Sequence, residues 1–164
     1  MVVPMRIVHA TRDQLDELFA IESAGFPPSE GASRKALQSR LAVAPELFWL
    51  LYDGDVLVGF VDALAWDRRD LDDALYSDVT LHRKDGAWVM VLGVNTIARY
   101  RHKGCGSLLM GQVVADCKSQ GRKGIVLTCK EALVPFYHGV GFQDEGISGS
   151  THGGVVWHQM RVTF

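Results

Sequence analysis

The sequence predicts an α/β fold, a sheet carrying helices on both faces, and three observations predict it. Short apolar or β-branched runs alternate with stretches of helical period in the order β-α-α-β-β-β-α-β-α-β. The densest run, Trp88 to Thr96, is followed by a basic, glycine-broken turn, Arg101-His102-Lys103-Gly104-Cys105-Gly106, and an apolar-periodic helix from Ser107 to Gln120. Finally, 164 residues with 48% hydrophobic content supply a full core for one domain and ask for no second, so residues 1–164 are expected to form a single unit.

Met5 to Ala10 reads as a short strand, and Thr11 with Gln14 three residues later makes a capping box that opens a helix through about Ser23. Leu15, Leu18, Phe19 and Glu22 keep helical spacing along it. Phe26-Pro27-Pro28-Ser29-Glu30-Gly31 breaks the helix, Ser33 caps a second one over Arg34 to Val43, and Pro45 stops that. Leu47 to Tyr52 and Val56 to Trp66 are strand-like runs joined by the tight turn Asp53-Gly54-Asp55. A charged stretch, Asp67 to Asp73, interrupts the sheet; it fits either a lid or an ordered loop. After Trp88 to Thr96 and the helix that Gly121 ends come a strand at Ile125 to Cys129, a helix from Ala132 to Val140, and a final strand at Val155 to Val162.

Seventeen basic and nineteen acidic residues give a net charge of −2 without long like-charge blocks, which argues against a general nucleic-acid or membrane-surface binder. Met1-Val2-Val3-Pro4-Met5-Arg6 has no charged leader followed by an apolar run, and the longest apolar run, Leu47 to Tyr52, is far below the ~18 residues of a spanning helix. A cytoplasmic protein, monomer or homodimer, is expected. Cys105, Cys117 and Cys129 lack zinc-type spacing and read as reduced thiols, Cys117 lying on the apolar side of its helix with Leu109 and Val113. His9, His82, His138 and His158 share no ligand spacing, so no metal is expected.

The basic turn is built to hold an anion. Gly104 and Gly106 can adopt φ > 0 and carry no side chain, so successive backbone N–H groups can converge at the positive end of the helix, beside Arg101, His102 and Lys103. Neither the dinucleotide G-x-G-x-x-G nor the ATP-type G-x-x-x-x-G-K-[ST] is present.

Trp88–Thr96, Tyr100 to Gly106 with its helix, Ile125–Cys129, Phe136-Tyr137 and Gly141-Phe142, in this spacing, resemble the acyl-CoA-dependent N-acetyltransferase superfamily called GNAT. More narrowly, Ala44-Pro45-Glu46-Leu47, Trp66-Asp67, Val79-Thr80-Leu81-His82-Arg83 and Cys129-Lys130-Glu131-Ala132-Leu133-Val134-Pro135-Phe136-Tyr137 are similar to the serotonin (arylalkylamine) N-acetyltransferase family and its microbial relatives. The resemblance implies a mixed, mostly antiparallel central sheet with a splayed central strand pair. Acetyl-CoA is the implied co-substrate, with no metal, and its pyrophosphate would lie on the backbone amides of His102 to Gly106 with Ser107 at the helix start. The strand ending Val94-Asn95-Thr96 would part from Ile125–Thr128, leaving amides that cost ~1–3 kcal/mol each when unpaired and that suit a pantetheine arm. The Val94 N–H would stabilise the oxyanion.

An alkylamine with a pKa near ~10.4 is almost wholly protonated at pH 7, and supplying its neutral form costs ~4–5 kcal/mol. A group must take that proton, and the departing thiolate needs one back. Tyr137 matches the family's tyrosine acid. Two histidines on the central strand relay the proton in the vertebrate serotonin enzymes, but Met90 and Leu92 stand at the matching positions. His152 lies in a segment that lines the family's amine pocket and is the expected base; Glu30 and Asp62 are carboxylates that can face the same cleft, and a water chain is a further route. Phe26, Val155 and Trp157 match or neighbour the aromatic acceptor pocket, where Trp157 can attract an ammonium or equally fill the end of the sheet.

The expected function is transfer of acetyl to a primary amine of a small molecule, arylalkylamine or polyamine, by direct attack in a ternary complex. An open groove beside Phe26 to Ser33 would favour a protein lysine or N-terminal amine instead. A non-catalytic CoA-binding module is the third reading.

Overall fold

The computed structural model describes residues 5–164; the first four residues of the stretch read for a leader, Met1 to Pro4, lie outside the described residues. Seven strands form one sheet in the order β1-β2-β3-β4-β5-β7-β6. They are β1 (Met5–His9), β2 (Phe48–Asp53), β3 (Val56–Trp66), β4 (Trp88–Thr96), β5 (Gly124–Cys129), β6 (Gln143–Ile147) and β7 (His158–Thr163). Every neighbouring pair is antiparallel except β4 and β5. The expected mixed, mostly antiparallel sheet is therefore the observed one.

Helices cover both faces. Leu15 and Leu18 of α1 (Leu15–Gly25) and Leu37 and Leu41 of α2 (Arg34–Val43) pack on Phe48, Leu50, Leu57 and Phe60. On the opposite face, Leu109, Met110, Val113 and Cys117 of α3 (Cys105–Ser119) join Trp49, Leu51 and Met90, with Tyr137 of α4 (Val134–Gly139) in the same core. The alternation of Phe48 and Leu50 with Trp49 and Leu51 is the two-residue period of a strand buried on both sides. Trp49 Nε1 also donates to Asp116 Oδ2 at 2.8 Å, tying β2 to α3.

The local signals act largely as expected. Thr11 N–H donates to Gln14 Oε1 at 2.8 Å, although the first turn, Arg12–Gln14, is a 3₁₀ helix and α1 follows it. Ser33 caps α2 by accepting from the Ala36 N–H. Three features differ. The helix after the basic turn starts at Cys105, two residues before the expected Ser107, because Gly104 at φ +83° supplies the left-handed step before it. The last strand starts at His158, since His152–Gly154 form a 3₁₀ turn with Gly153 and Gly154 at positive φ. The unexpected strand is β6, whose sequence QDEGI has no apolar alternation and pairs with β7 alone.

Two features of β4 place the site. Its parallel pairing with β5 has three rungs, Trp88 with Gly124, Val89 with Ile125 and Met90 with Val126, and then stops. On its other edge the register with β3 shifts, Gly93 facing Asp62 and Val91 facing Ala63, so that Leu92 is the extra residue of a bulge. A strand bent by a bulge and released by its neighbour leaves a wedge, and the splayed pair expected from the sequence is this one.

Candidate active site

A cavity of about 640 Å³ occupies the wedge. Val91 to Val94 form one side and Leu127 to Cys129 the other, while α1, α2 and the segments around residues 26–33 and 152–157 close over it. Among the residues singled out in the sequence, Phe26, Glu30, Val94, Tyr137, His152 and Trp157 line this cavity, although they are spread over more than a hundred residues of chain. Val155 is not among its lining residues; it is half-buried in the link between the 3₁₀ turn and β7.

Tyr137 is buried with its ring edge-on to Phe136, 4.9 Å between centroids, and to Phe142 at 6.0 Å. Burial pushes its phenol far above the ordinary tyrosine range, and the nearby Cys129 adds to the rise, so Tyr137 holds its proton at every physiological pH. The Cys129 thiol, on the cavity wall, is itself pushed up to about 11 by burial and is neutral.

The site also carries a cluster of which the sequence singled out Asp62 alone. Glu22 lies on the buried face of α1 and reaches the cavity. Its Oε1 accepts from Asn95 Nδ2 at 3.3 Å. Burial first, and then the charge of Asp62, raise its carboxyl from 4.5 to about 7, against the opposing pull of Asn95, Arg40 and the Ala32 backbone. Asp62, on β3, is fully buried and bound by Arg40 of α2, with Nη1 to Oδ2 at 3.0 Å. Arg40 Nη2 donates to the Tyr76 carbonyl at 2.9 Å. Burial raises the Asp62 carboxyl too, and Arg40 opposes the rise. Since Arg40 bonds Asp62 directly, the negative charge settles on Asp62, and Glu22 is the group that takes up a proton as pH falls through about 7. One signal was legible: a carboxylate at an apolar position of an amphipathic helix, aligned with Leu15 and Leu18, is an expensive placement that calls for a partner or a task.

His152 is held on all sides. Its Nε2 lies 2.8 Å from the Glu30 main-chain oxygen, and since a carbonyl only accepts, Nε2 carries the proton. The ring stacks on Tyr76 at 4.4 Å and 10°, and Trp157 Nε1 donates to the His152 carbonyl at 2.7 Å. Lys130 Nζ sits 2.6 Å from Glu30 Oε1, so that carboxylate is engaged as well. Gly153 packs against Ser29 so tightly that a Cβ there would come within 2.9 Å of the Ser29 oxygen. These contacts bridge the 26–33 segment to the turn before β7 and roof the cavity. The charged stretch after β3 is tied to the same turn, because Asp73 accepts from the Ser150 hydroxyl and the Thr151 N–H.

The basic turn lies outside the cavity, at the N-terminus of α3. Arg101, His102, Lys103 and Gly104 are exposed, Cys105 is buried as the first helical residue, and Ser107 is exposed one turn in. His102 (φ +60°) and Gly104 are the left-handed residues of the turn; Gly106 is helical. Arg101 Nε donates to the Thr96 carbonyl at 3.0 Å, fixing the turn to the end of β4. Gly106 sits against Phe136, the neighbour in sequence of the cavity-lining Tyr137. Among the described residues no group of three or more His, Cys, Asp or Glu side chains is placed to hold a metal ion, and no helix is long and apolar enough to cross a membrane.

The profile of the Acetyltransferase (GNAT) family matches residues 14–142. The serotonin N-acetyltransferase of Mesocricetus auratus is 33% identical over 124 residues, covering 74% of this chain and 58% of that protein. The chain thus spans little more than half the length of the curated relatives it matches. Among solved structures, the loading GNATL domain of CurA from Lyngbya majuscula superposes with a TM-score of 0.84 at 15% identity, over 98% of both chains. The GphF GNAT-like decarboxylase in complex with isobutyryl-CoA gives 0.78 at 24% identity, over 96% of this chain and 98% of that one. At those identities the likeness is one of fold.

Proposed function

The chain belongs to the acetyltransferase (GNAT) family, and from that premise we propose that it is an acetyl-CoA-dependent N-acetyltransferase acting on the primary amine of a small molecule, of arylalkylamine or polyamine type. One arrangement carries the reading: a single cavity, opened where β4 leaves β5, is lined at once by Glu22, Val94 and Tyr137. The partial identity to serotonin N-acetyltransferase supports the arylalkylamine side of it.

In this reading the backbone amides of His102 to Gly106 take the CoA pyrophosphate, with Arg101, Lys103 and Ser107 beside them. Pantetheine runs along the free edge of β4 from Thr96 toward Val94. The acceptor arrives as an ammonium between Phe26, His152 and Trp157 and gives one proton to the Glu22 carboxylate. The neutral nitrogen attacks the thioester carbon, the Val94 N–H donates to the oxyanion, and the C–S bond breaks. Tyr137 protonates the leaving thiolate and is reprotonated by the second proton of the nitrogen, while the proton on Glu22 leaves to solvent. Ammonium and acetyl-CoA thus become amide, CoA thiol and one released proton. Glu22 is favoured over His152 as the base because it lies against Gly93, next to Val94, while His152 is fixed through Nε2–H to Glu30 and through its ring to Tyr76, with Nδ1 alone left to accept.

The roof over the cavity supports a small acceptor, since a peptide would need an open groove between Glu30 and His152, where a hydrogen bond stands. The test is release of CoA thiol from acetyl-CoA with phenylethylamine, tryptamine, spermidine, an aminoglycoside and a lysine peptide, run beside Tyr137→Phe. A Tyr137-dependent signal with one class of small amine is the expected result. A signal with the peptide alone would move the acceptor to protein, and silence with tight acetyl-CoA binding would leave a CoA-binding module.

A further inference from the structure

Glu22 and Asp62 are two buried carboxylates served by a single guanidinium. Both crowd the same glycine: a Cβ on Gly93 would lie 2.6 Å from Asp62 Oδ1 and 3.4 Å from Glu22 Oε1. Arg40 bonds Asp62 Oδ2, and among the described residues no side-chain donor reaches Asp62 Oδ1. A buried carboxylate oxygen left without a side-chain donor, beside a second carboxyl and below a reaction cavity, is costly to keep for packing alone. An apolar pair of similar volume in place of Arg40 and Asp62 would hold the fold as well or better.

We propose that Asp62, clamped by Arg40, is a positioning residue for proton transfer: its fixed negative charge holds Glu22 ready to take the acceptor's proton and then to release it to solvent. The proposal rests on the N-acetyltransferase reading for the identity of the proton donor. The charged groups acting on Glu22 are Asp62 from β3 and Arg40 from α2; Asn95 from β4 and the Ala32 backbone from the 26–33 segment add polar contacts. With Asp62 ionised, a second ionised carboxylate repels it, so one proton is shared by the pair and rests on Glu22. When Glu22 is ionised it takes a proton from the ammonium; no bond to carbon forms at either carboxylate, and the proton returns to water. Without the charge of Asp62, Glu22 would be a weaker base and would hold the proton less readily.

The experiment follows the carboxyl carbons of ¹³C-labelled Glu and Asp side chains by NMR as pH is varied, in the native chain, Asp62→Asn and Glu22→Gln, alongside pH profiles of kcat/KM. Glu22 is expected to titrate near neutrality in the native chain and about one pH unit lower in Asp62→Asn, with the acid limb of kcat/KM moving by the same amount. Should Asp62→Asn fail to fold, Glu22→Gln gives the second reading: the near-neutral carboxyl transition must vanish, because Glu22 carries it and is already neutral where Asp62 titrates. A native Glu22 titrating in the ordinary carboxylate range, or a near-neutral carboxyl transition that persists in Glu22→Gln, would overturn the proposal. So would turnover whose acid limb ignores Asp62→Asn, and in that case the transferase reading would stand. Shifted titrations with no thiol released by any amine would instead overturn the proton-transfer role together with the reading it rests on.

Discussion

The imidazole of His152 hydrogen-bonds through Nε2 to the main-chain oxygen of Glu30 at 2.8 Å, joining two segments 122 residues apart in the chain. The bond makes His152 a strut of the cavity roof. His152→Ala is therefore expected to raise KM for small amines about tenfold, to admit longer acceptors, and to leave the acid limb of the kcat/KM profile in place. Steady-state kinetics across pH with amines of increasing length checks all three, and loss of the acid limb would return His152 to the role of base.

Tyr137→Phe keeps the edge-on contacts with Phe136 and Phe142 and removes the hydroxyl. Turnover is expected to fall by about tenfold to several hundredfold with acetyl-CoA affinity little changed. Thiol release and calorimetric CoA binding on the same preparations separate the two quantities.

Glu22 links stability to pH. Its carboxyl is raised to about 7 in the folded chain from about 4.5 unfolded, so the folded state binds the extra proton between those values and loses stability as pH climbs through them. The loss is roughly 3 kcal/mol by pH 8. Glu22→Gln removes the titration, so its melting temperature relative to the native chain should rise steadily from pH 5 to pH 8. A constant difference across that range would deny the linkage.

Breaking the buried ion pair from one side is far costlier than replacing it whole. Arg40→Met leaves Asp62 without its guanidinium and should cost about 3–5 kcal/mol, whereas Arg40→Met with Asp62→Leu should recover most of that. Urea unfolding of both variants at pH 8 measures the difference.

Gly104 precedes α3 at φ +83°, with no atom within 4 Å of where a Cβ would stand. Gly104→Ala thus carries backbone strain and no clash, about 1 kcal/mol. KM for acetyl-CoA should rise several-fold while kcat with saturating acetyl-CoA stays near native, which initial-rate measurements at varied acetyl-CoA will show.

The fold was legible where burial is strong and obscure where it is weak. Phe48 to Asp53 and Val56 to Trp66 announce themselves because β2 and β3 are covered on both sides. By contrast, β6 is an edge strand of exposed polar residues held by backbone pairing to β7, and backbone pairing leaves no mark on side-chain composition. Within the site, Val94 and Tyr137 follow from motifs local in sequence. The cluster of Glu22, Asp62 and Arg40 does not. Arg40 sits among polar residues of α2 and reads as solvent-facing, and only its meeting with Asp62 from a separate strand shows its environment. Glu22 could have been flagged from its helical position; its closeness to Asp62 could not.

Three parallel rungs between β4 and β5, with the Lys123 N–H donating to the Ala87 carbonyl just before them, join the two halves of the sheet edge to edge, and on the α1/α2 face the core ends at β2 and β3. The seam is stitched mainly by α3 on the other face, whose core includes Met90 of β4 and Ile125 to Leu127 of β5. A peptide-like ligand arm lying in the wedge would act as a temporary extra strand and close the seam. Amide hydrogens at the free end of β4 should then exchange quickly in the empty protein and slow sharply when acetyl-CoA is present, and the melting temperature should climb with ligand concentration by mass action. Sheet integrity and ligand occupancy would then be one equilibrium, with the bound arm as the stitch.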